Sequence, residues 1–172
     1  LMVPNSLKAL FDIGNEDGSI AHHGVRVAAL AIALANALNL VDNSRPVHLM
    51  AIGCFIHDLE HYHSKFDHNR ALLALGKDEM KEYRKHPMSG AQKLQVLPHL
   101  DPLVHKVVVQ HEEHVDGSGY PKGLSEKDMD PLVVVAAVAN AFDRIVTFEH
   151  RPLKEAYKKL LIDKMGAFPL AT

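Results

Sequence analysis

The chain has little cysteine, no tryptophan and no excess of basic charge, and the first and last of these shortages each exclude a class of protein. Among 172 residues there is one cysteine and no tryptophan. A single cysteine forms no internal disulfide, so the fold is not a disulfide scaffold, and Cys54 is expected to be a small buried hydrophobe. The formal net charge is -2. DNA is therefore not an expected partner.

Membrane and targeting signals are also scarce. No secretory signal is visible, and the longest apolar stretches look too short or too interrupted to span a membrane. We therefore expect a cytoplasmic domain without membrane contact. The length fits one domain, with residues 1–18 as a lead-in cut from a longer protein and residues 19–172 as the domain.

Hydrophobic periodicity predicts an all-α bundle of about six or seven helices. Ser19, Asp101-Pro102 and Asp130-Pro131 are predicted helix starts. Residues 60–80 read as polar and irregular around one short helix. The predicted helices are 20–40, 46–56, about 70–75, 86–96, 103–114, 132–148 and 154–164. The segment 132–148 is apolar nearly all round, which places it in the middle of the domain.

Histidine is abundant instead, with 13 residues that often stand beside acids. The richest stretch, residues 110–121, sets imidazoles and carboxylates against a glycine-rich turn. Further clusters are His22-His23, residues 57–63 and His86-Pro87. Imidazole and carboxylate together bind borderline or hard divalent metals such as Fe, Mn and Zn. Four clusters predict a metal centre in the core, assembled from distant parts of the chain.

Individual positions sharpen this prediction. The pair His57-Asp58 ends a buried helix, where one carboxylate can bridge two metal positions. His111 continues the apolar face of its helix, so its imidazole needs a hydrogen bond or a metal. Taken alone, His23 could equally face water, and His86 could be a capping or surface residue.

Two polar residues on the most apolar helix need partners as well. Asn140 and Asp143 would find them in a metal or in residues that support its ligands. For Asp143, a helix–helix hydrogen bond is an alternative. His23 and Arg26 share one helix face.

These residues, in this order and spacing, resemble the HD-GYP domain, a branch of the HD metal-dependent phosphohydrolases. The resemblance covers about residues 19–170, and residues 116–121 are its specific part. The matching motifs are His23-x-x-Arg26-Val27, His57-Asp58, His86-Pro87-x-x-Gly90, His111-x-Glu113-x-x-Asp116-Gly117-Ser118-Gly119-Tyr120-Pro121 and Arg151-Pro152.

The resemblance implies a bacterial phosphodiesterase that hydrolyses cyclic di-GMP to pGpG or GMP with a hydroxide activated by two metals. The implied metals are Fe or Mn, with Zn, Ni or Mg as alternatives. By analogy, one metal takes His23, His57, Asp58 and Asn140, and the other takes Asp58, His86, His111 and Glu112.

The resemblance also implies roles for further residues. Asp58, His61 and Arg26 become catalytic candidates, although Arg26 could equally support a carboxylate. Arg151, Lys122 and Tyr120 become substrate-binding candidates, and Glu113 and Asp143 are candidates for holding the ligands in place. The loop residues Asp116, Gly117, Gly119, Tyr120 and Pro121 are associated in the family with contacts to GGDEF-domain proteins.

The sequence departs from the family pattern at several of these positions. His61 replaces a lysine that approaches the substrate phosphate, Glu112 replaces a histidine, and Asn140 replaces an aspartate. Ser19 stands where a glutamate is associated with a third metal, and Leu153 replaces a tyrosine.

Three functions follow from these departures. The first is an altered but active two-metal site, because the changes at Glu112 and Asn140 alter ligand charge by about -1 and +1 and so balance. This site would be oxygen-rich at Glu112 and suit Mn or Fe. The second is an inactive module that docks GGDEF-type partners through the loop. The third is an HD phosphohydrolase acting on another nucleotide. The sequence leaves open whether the chain forms a homodimer through an N-terminal helix.

Overall fold

A computed structural model describes residues 19–40, 43–63 and 72–163, and these ranges are helical. The helices are α1 (Ile20–Ala37), α2 (Ser44–Ile56), α3 (Lys77–Tyr83), α4 (His86–Leu94), α5 (Pro102–Gln110), α6 (Pro131–Thr147) and α7 (Leu153–Asp163). Short 3₁₀ turns cover Leu59–Tyr62, Leu72–Ala74 and Glu126–Asp128. Within the described ranges the only β pairing is one isolated bridge, Asp116 with Ser125. The all-α prediction is confirmed, while the predicted lead-in, residues 1–18, lies outside the described residues.

The predicted helix starts are confirmed by their caps. The Ser19 side chain accepts a hydrogen bond from the His22 amide of α1. Asp101 accepts from Leu103 N at 2.9 Å and Asp130 from Leu132 N at 3.0 Å. Each cap satisfies an amide that has no partner inside the helix, which stabilises a helix by about 1 kcal/mol.

The segment 60–80 is more regular than predicted. It contains most of the 3₁₀ turn Leu59–Tyr62 and the first four residues of α3, and the helix expected near 70–75 is a 3₁₀ turn at Leu72–Ala74. Residues 64–71 lie outside the description. The segment was misread because α3 is short and mostly exposed, so it carries no apolar stripe for periodicity to detect.

The helix predicted to reach His114 ends four residues earlier. α5 stops at Gln110, and His111 is its C-cap. Glu113 N then bonds to Gln110 O at 2.9 Å, a tight turn that leaves the helical path. Glu112 is therefore not a helical residue, and the turn decides the directions of its side chain and of Glu113.

The core lies where α1, α2, α5 and α6 pack together. α6 is buried along most of its length, as its apolar sequence predicted. Gly53 lets α2 approach α5 closely, since a Cβ there would stand 2.6 Å from the Val107 Cβ. Cys54 is fully buried, and burial raises the pKa of its thiol to about 12, which confirms the small-hydrophobe prediction.

The sequence-based view of the apolar stretches needs one correction. By length and composition alone, α1 could cross a membrane. Its buried residues Val27, Leu30, Ala31 and Ala35 belong to the core formed with α2 and α6. A core helix of a soluble protein passes the same test, so this property carries no further argument.

Candidate metal centre

Helix ends bring together five histidines and one aspartate that are far apart in sequence. His23 lies in the first turn of α1, His57 caps the end of α2, and Asp58 follows it. His86 begins α4, His111 caps the end of α5, and His61 lies in the 3₁₀ turn Leu59–Tyr62. The exposed fraction of each is 4% or less. Six polar side chains buried this deeply require partners.

Asp58 stands at the centre of this cluster. Its Oδ2 lies 3.6 Å from His23 Nε2 and 3.3 Å from His57 Nε2. Its Oδ1 lies 3.6, 3.4 and 3.5 Å from the Nε2 atoms of His61, His86 and His111, respectively. Each carboxylate oxygen of Asp58 therefore faces its own group of imidazoles. We call these the Oδ2 group (His23, His57) and the Oδ1 group (His61, His86, His111).

Hydrogen bonds at Nδ1 fix the direction of four of these imidazoles. His57 Nδ1 donates to Cys54 O at 2.6 Å, His86 Nδ1 to Tyr83 O at 2.7 Å, and His111 Nδ1 to Val108 O at 2.9 Å. The same atom of His23 donates to the Asp143 carboxylate at 2.6 Å. A proton held at Nδ1 leaves the Nε2 lone pair directed at Asp58, the arrangement usual for metal-ligating histidine.

Without a cation these lone pairs conflict. The Nε2 atoms of His86 and His111 approach to 2.8 Å although both Nδ1 protons point at carbonyls, so the two lone pairs require either a shared cation or an added proton. His57 Nε2 and Asp58 Oδ1 are buried and make no hydrogen bond of good geometry. The 3.3–3.6 Å contacts around Asp58 are distances at which neighbouring nitrogen and oxygen atoms could ligate one divalent ion.

Protonation states agree with metal binding. Burial raises the pKa of Asp58, but the neighbouring His57, His111 and His61 outweigh it and hold that pKa well below its usual range. Burial is also the main reason why the pKa of His86 lies well below its ordinary value. An ionised carboxylate and a neutral imidazole are the forms that ligate metals.

Asp143 connects the centre to the fold. Besides holding His23, its two oxygens accept from Arg26 Nε at 2.7 Å and Arg26 Nη2 at 3.2 Å. Asp143 is fully buried and Arg26 is 2% exposed. Burial alone would raise the pKa of Asp143. His23 and Arg26 lower it by more than burial raises it, so the pKa lies below its ordinary value. The observed partner of Arg26 is thus a carboxylate, the alternative that the sequence left open.

Glu112 and Asn140 stand where the sequence departs from the family pattern, and both reach the centre. Asn140 Oδ1 lies 3.0 Å from His23 Nε2, and its Nδ2 lies 3.4 Å from Glu112 Oε1. Glu112 Oε1 also accepts from the Tyr83 hydroxyl at 3.0 Å. Ligand atoms of Glu112, His86 and His111 all lie within 4.8 Å of one another. Glu112 is therefore placed to extend the Oδ1 group.

Two further residues of this region were missed by sequence reasoning. Tyr83 packs its ring against His61 and His86, and it lies outside every predicted helix. Arg144 is 8% exposed, and its guanidinium lies over the rings of Tyr83 and Phe148, at 5.3 and 5.0 Å. A charged residue on the most apolar helix, next to Asp143, was a signal that could have identified Arg144.

Charges around Glu112 are balanced within the interior. Burial raises its pKa, but His111 and Arg144 outweigh burial and lower it. Burial alone would lower the pKa of Arg144. The neighbouring Tyr83, Glu112 and Asp58 outweigh burial and raise that pKa. Both groups are therefore ionised at neutral pH, and Arg144 places a positive charge close to the Oδ1 group.

Glu113 anchors the glycine-rich loop through backbone hydrogen bonds. This residue is fully buried, and its carboxylate accepts from Lys122 N at 2.6 Å and Leu124 N at 2.9 Å. Its contacts are with the loop, and the structure gives it none with the imidazoles around Asp58 among the described residues. Asp116 and Ser118 are exposed, and the Asp116 carboxylate accepts from Ser118 N at 2.9 Å. The loop therefore combines an anchored base with an exposed tip.

Gly119 permits the closest contact of this loop. A Cβ at Gly119 would lie 2.3–2.6 Å from backbone atoms of Glu112, Glu113 and His114, and Tyr120 N donates to Glu112 O at 3.0 Å. The bond from Tyr120 to Pro121 is cis. The loop thus packs directly on the backbone that carries Glu112.

Replacing Gly119 by alanine is expected to destabilise the protein by about 1–3 kcal/mol, because overpacking against backbone cannot be relieved by a rotamer change. Thermal unfolding would measure the loss. Gly90→Ala is the matched control, since its Cβ would meet only ordinary contacts, at 3.7 Å or more. If Gly119→Ala unfolds at the same temperature as Gly90→Ala, the close packing of the loop is refuted.

The substrate-binding candidates are placed differently from one another. Tyr120 is half-buried and its ring contacts Tyr83 and His86 at centroid distances of 6.4 and 6.3 Å. Arg151 is exposed and faces Glu155 at 3.7 Å, and Lys122 is exposed on the loop. The structure thus brings Tyr120, but neither of these two cations, into contact with the centre within the described ranges.

Comparison with known proteins agrees with this geometry. Residues 20–161 match the family described as HD domain. A cyclic di-GMP phosphodiesterase of Pseudomonas aeruginosa is 32% identical over 90% of the chain, and one of Borreliella burgdorferi is 28% identical over 80%. The chain spans only 36% and 34% of the lengths of these two relatives.

Solved structures give the same result. A protein of Bdellovibrio bacteriovorus described as an HDG"Y"P protein superposes with a TM-score of 0.88 and 45% identity, over 98% of this chain and 54% of its own. The HD domain of the phosphodiesterase PgpH from L. monocytogenes shares the fold, with a TM-score of 0.63 and 16% identity, over 92% of this chain and 83% of its own. With its helix-end histidines gathered around one aspartate and its glycine-rich loop packed beside them, the chain belongs to the HD domain family, in the HD-GYP branch.

Proposed function

We propose that this domain is a metal-dependent phosphodiesterase that hydrolyses cyclic di-GMP at a two-metal site bridged by Asp58. The observation that carries the proposal is the division of imidazoles between the two oxygens of Asp58. One ion would be held by Asp58, His23 and His57 with Asn140 beside them. The other would be held by Asp58, His86 and His111 with Glu112 beside them. This ligand set is the one implied by the family resemblance, and the distances around Asp58 support it.

The substrate is proposed from the relatives. Those of P. aeruginosa and B. burgdorferi are named cyclic di-GMP phosphodiesterases. Because this chain spans about a third of each, their activity is carried over as a proposal for this domain. Hydrolysis would give pGpG or GMP.

Each residue has a distinct task in this proposal. Bound divalent ions supply the chemistry, by lowering the pKa of a water molecule and neutralising charge on the phosphate. Asp143 and the carbonyls of Cys54, Tyr83 and Val108 keep the Nε2 atoms aimed at Asp58. Such supporting contacts typically change metal affinity by about 10–100-fold.

Arg144 is proposed to favour the anionic substrate. Its charge is buried beside Glu112 and Tyr83, and its Nε atom makes no hydrogen bond. A cation preorganised in a buried site stabilises phosphate charge more effectively than one on the surface. In this respect Arg144 is a better candidate than the exposed Arg151 and Lys122.

The two ligand replacements are compatible with an active site. Glu112 offers an oxygen ligand within reach of His86 and His111, and Asn140 offers its amide oxygen toward His23. The gain and the loss of one carboxylate leave the ligand charge unchanged. The two replacements also contact each other, because Asn140 Nδ2 donates to Glu112 Oε1 at 3.4 Å.

Docking of a GGDEF-type protein is a second candidate function, favoured by the exposed tip of the loop at Asp116 and Ser118. The two functions predict different responses to mutation. Changing His57 or Asp58 should abolish turnover and spare partner binding. Changing Gly119 or Tyr120 should abolish partner binding.

The direct test is hydrolysis by protein reconstituted with Mn²⁺ or Fe²⁺. Substrates would be cyclic di-GMP, cyclic di-AMP, a mixed cyclic dinucleotide, nucleotide mono- and triphosphates and a bis-aryl phosphate. We expect cyclic di-GMP to be cleaved and the reaction to stop with chelator. Preferential cleavage of a nucleoside triphosphate would identify another HD phosphohydrolase, and no cleavage of any substrate would favour docking.

A further inference from the structure

His61 occupies a position that neither the family resemblance nor the proposed ligand set explains. The family pattern has a lysine there that approaches the substrate phosphate. In this chain the 3₁₀ turn Leu59–Tyr62 follows Asp58 directly, and His61 N bonds to Asp58 O at 2.9 Å. This turn folds the His61 side chain back over the carboxylate three residues earlier. As a result, His61 is 4% exposed.

The Nε2 atom of His61 stands in the same relation to Asp58 as the proposed ligands do. It lies 3.6 Å from Asp58 Oδ1, while the Nε2 atoms of His86 and His111 lie at 3.4 and 3.5 Å from that oxygen. The ring of His61 is tilted against that of His86 with centroids 4.4 Å apart. Ligand atoms of Asp58, His61 and His86 all lie within 4.8 Å of one another.

A role in contacting phosphate fits His61 less well. The small cavity beside it is lined by His61, Tyr83 and His86 on its inner side and by Glu60, Glu82 and Lys85 nearer its rim. Lys85 is paired with Glu82 at 2.5 Å, and Lys93 is paired with Glu60 at 2.8 Å. Lys85, the cation among the residues that line this cavity, is therefore already paired with a carboxylate and offers a phosphodiester little attraction. An imidazole in this position faces the Asp58 carboxylate and the His86 imidazole, which is an environment for a cation.

We propose that His61 is a ligand of the metal held by the Oδ1 group, in place of the family's phosphate-facing lysine. This inference rests on the proposed two-metal function and adds a ligand to it. The site would then contain three imidazoles and one Asp58 oxygen, with Glu112 at its edge. Nitrogen-rich sites select borderline metals such as Fe²⁺, Co²⁺, Ni²⁺ and Zn²⁺ and disfavour Mg²⁺. We therefore expect this position to discriminate strongly against Mg²⁺.

The test is Co²⁺ titration of metal-free protein, followed by visible absorption and by competition with a chromophoric chelator. Wild type should bind about two equivalents. His61→Ala and His61→Lys should each keep the first equivalent and bind the second at least about tenfold more weakly, because even supporting residues change affinity by about 10–100-fold. The absorption of the second ion should change shape in His61→Gln, because a nitrogen ligand is lost.

His63→Ala is the matched control, since His63 is exposed at the end of the same turn and should leave both affinities unchanged. Circular dichroism of each variant checks folding independently of metal. If wild type binds two ions and the His61 variants bind both with unchanged affinity, the assignment of His61 as a ligand is overturned and the two-metal site is left intact. A gain of turnover in His61→Lys without loss of metal would assign His61 to phosphate. Wild type binding fewer than two ions would overturn both proposals.

Discussion

Asp58→Asn should reduce phosphodiester hydrolysis by at least about a thousandfold, equivalent to ~4 kcal/mol of transition-state stabilisation. Among the described residues, Asp58 is the carboxylate whose two oxygens face both imidazole groups. The amide keeps the size of the side chain but offers one poor oxygen ligand and an N–H₂ donor directed at a lone pair. In the proposed site, both ions would lose their shared anionic ligand in this variant. The initial rate of cyclic di-GMP hydrolysis measures the effect.

Asp78→Asn is the control for this variant, because it removes an exposed carboxylate in α3. It should keep wild-type turnover. Retention of more than a tenth of the activity by a folded Asp58→Asn protein would mean that Asp58 does not bridge the catalytic ions.

The largest expected effect on stability belongs to Asp143→Ala, at about 3–5 kcal/mol, because it leaves a buried charge without its partner. Arg26 is 2% exposed, and its Nε and Nη2 atoms both donate to Asp143. Removing the carboxylate also frees the Nδ1 atom of His23. Urea-induced unfolding of the metal-free protein measures the loss of free energy of unfolding without a contribution from bound ions.

The double variant Arg26→Met/Asp143→Leu separates charge burial from metal binding. Replacing a buried ion pair by apolar residues is often nearly neutral, so we expect most of the lost stability to return. The affinity for the ion beside His23 should stay low, since the orienting carboxylate is still absent. If the double variant is as unstable as Asp143→Ala, the unpaired charge of Arg26 is not the cause.

The pKa of Asp143 also predicts how the stability of the protein changes with pH. Asp143 has a lowered pKa in the folded protein, with burial opposing and with His23 and Arg26 favouring the ionised form. The stability that it contributes is therefore complete above the unfolded pKa of about 3.9, and is lost as the pH falls through the lower folded pKa. Asp143→Ala should flatten the acid limb of a stability curve measured on the metal-free protein.

The sequence predicts the helices well where they have caps and an apolar face. Asp101 and Asp130 identify the starts of α5 and α6 because an acidic cap before proline is a local signal. The end of α5 could not be predicted in this way. It depends on the loop at Gly119 packing on the backbone of Glu112, a contact between residues that local patterns treat separately.

The site shows the same division between local and tertiary information. His57-Asp58 and His86-Pro87 are visible as motifs because they lie at helix ends. The packing of Tyr83 and Arg144 beside Glu112 arises from α3 and α6 meeting at the centre, and periodicity does not encode it. The direction of His61 depends likewise on a 3₁₀ turn whose sequence reads as irregular.

Metal content of the purified protein is the most direct test of the bridging role of Asp58. Inductively coupled plasma mass spectrometry would be applied to wild type, His57→Ala, His86→Ala and Asp58→Ala, all prepared without chelator. This bridging role predicts about two, one, one and zero equivalents, since each histidine would serve one ion and Asp58 would serve both. A wild type without stoichiometric metal after reconstitution, or a His57→Ala protein that loses both ions while remaining folded, would contradict it.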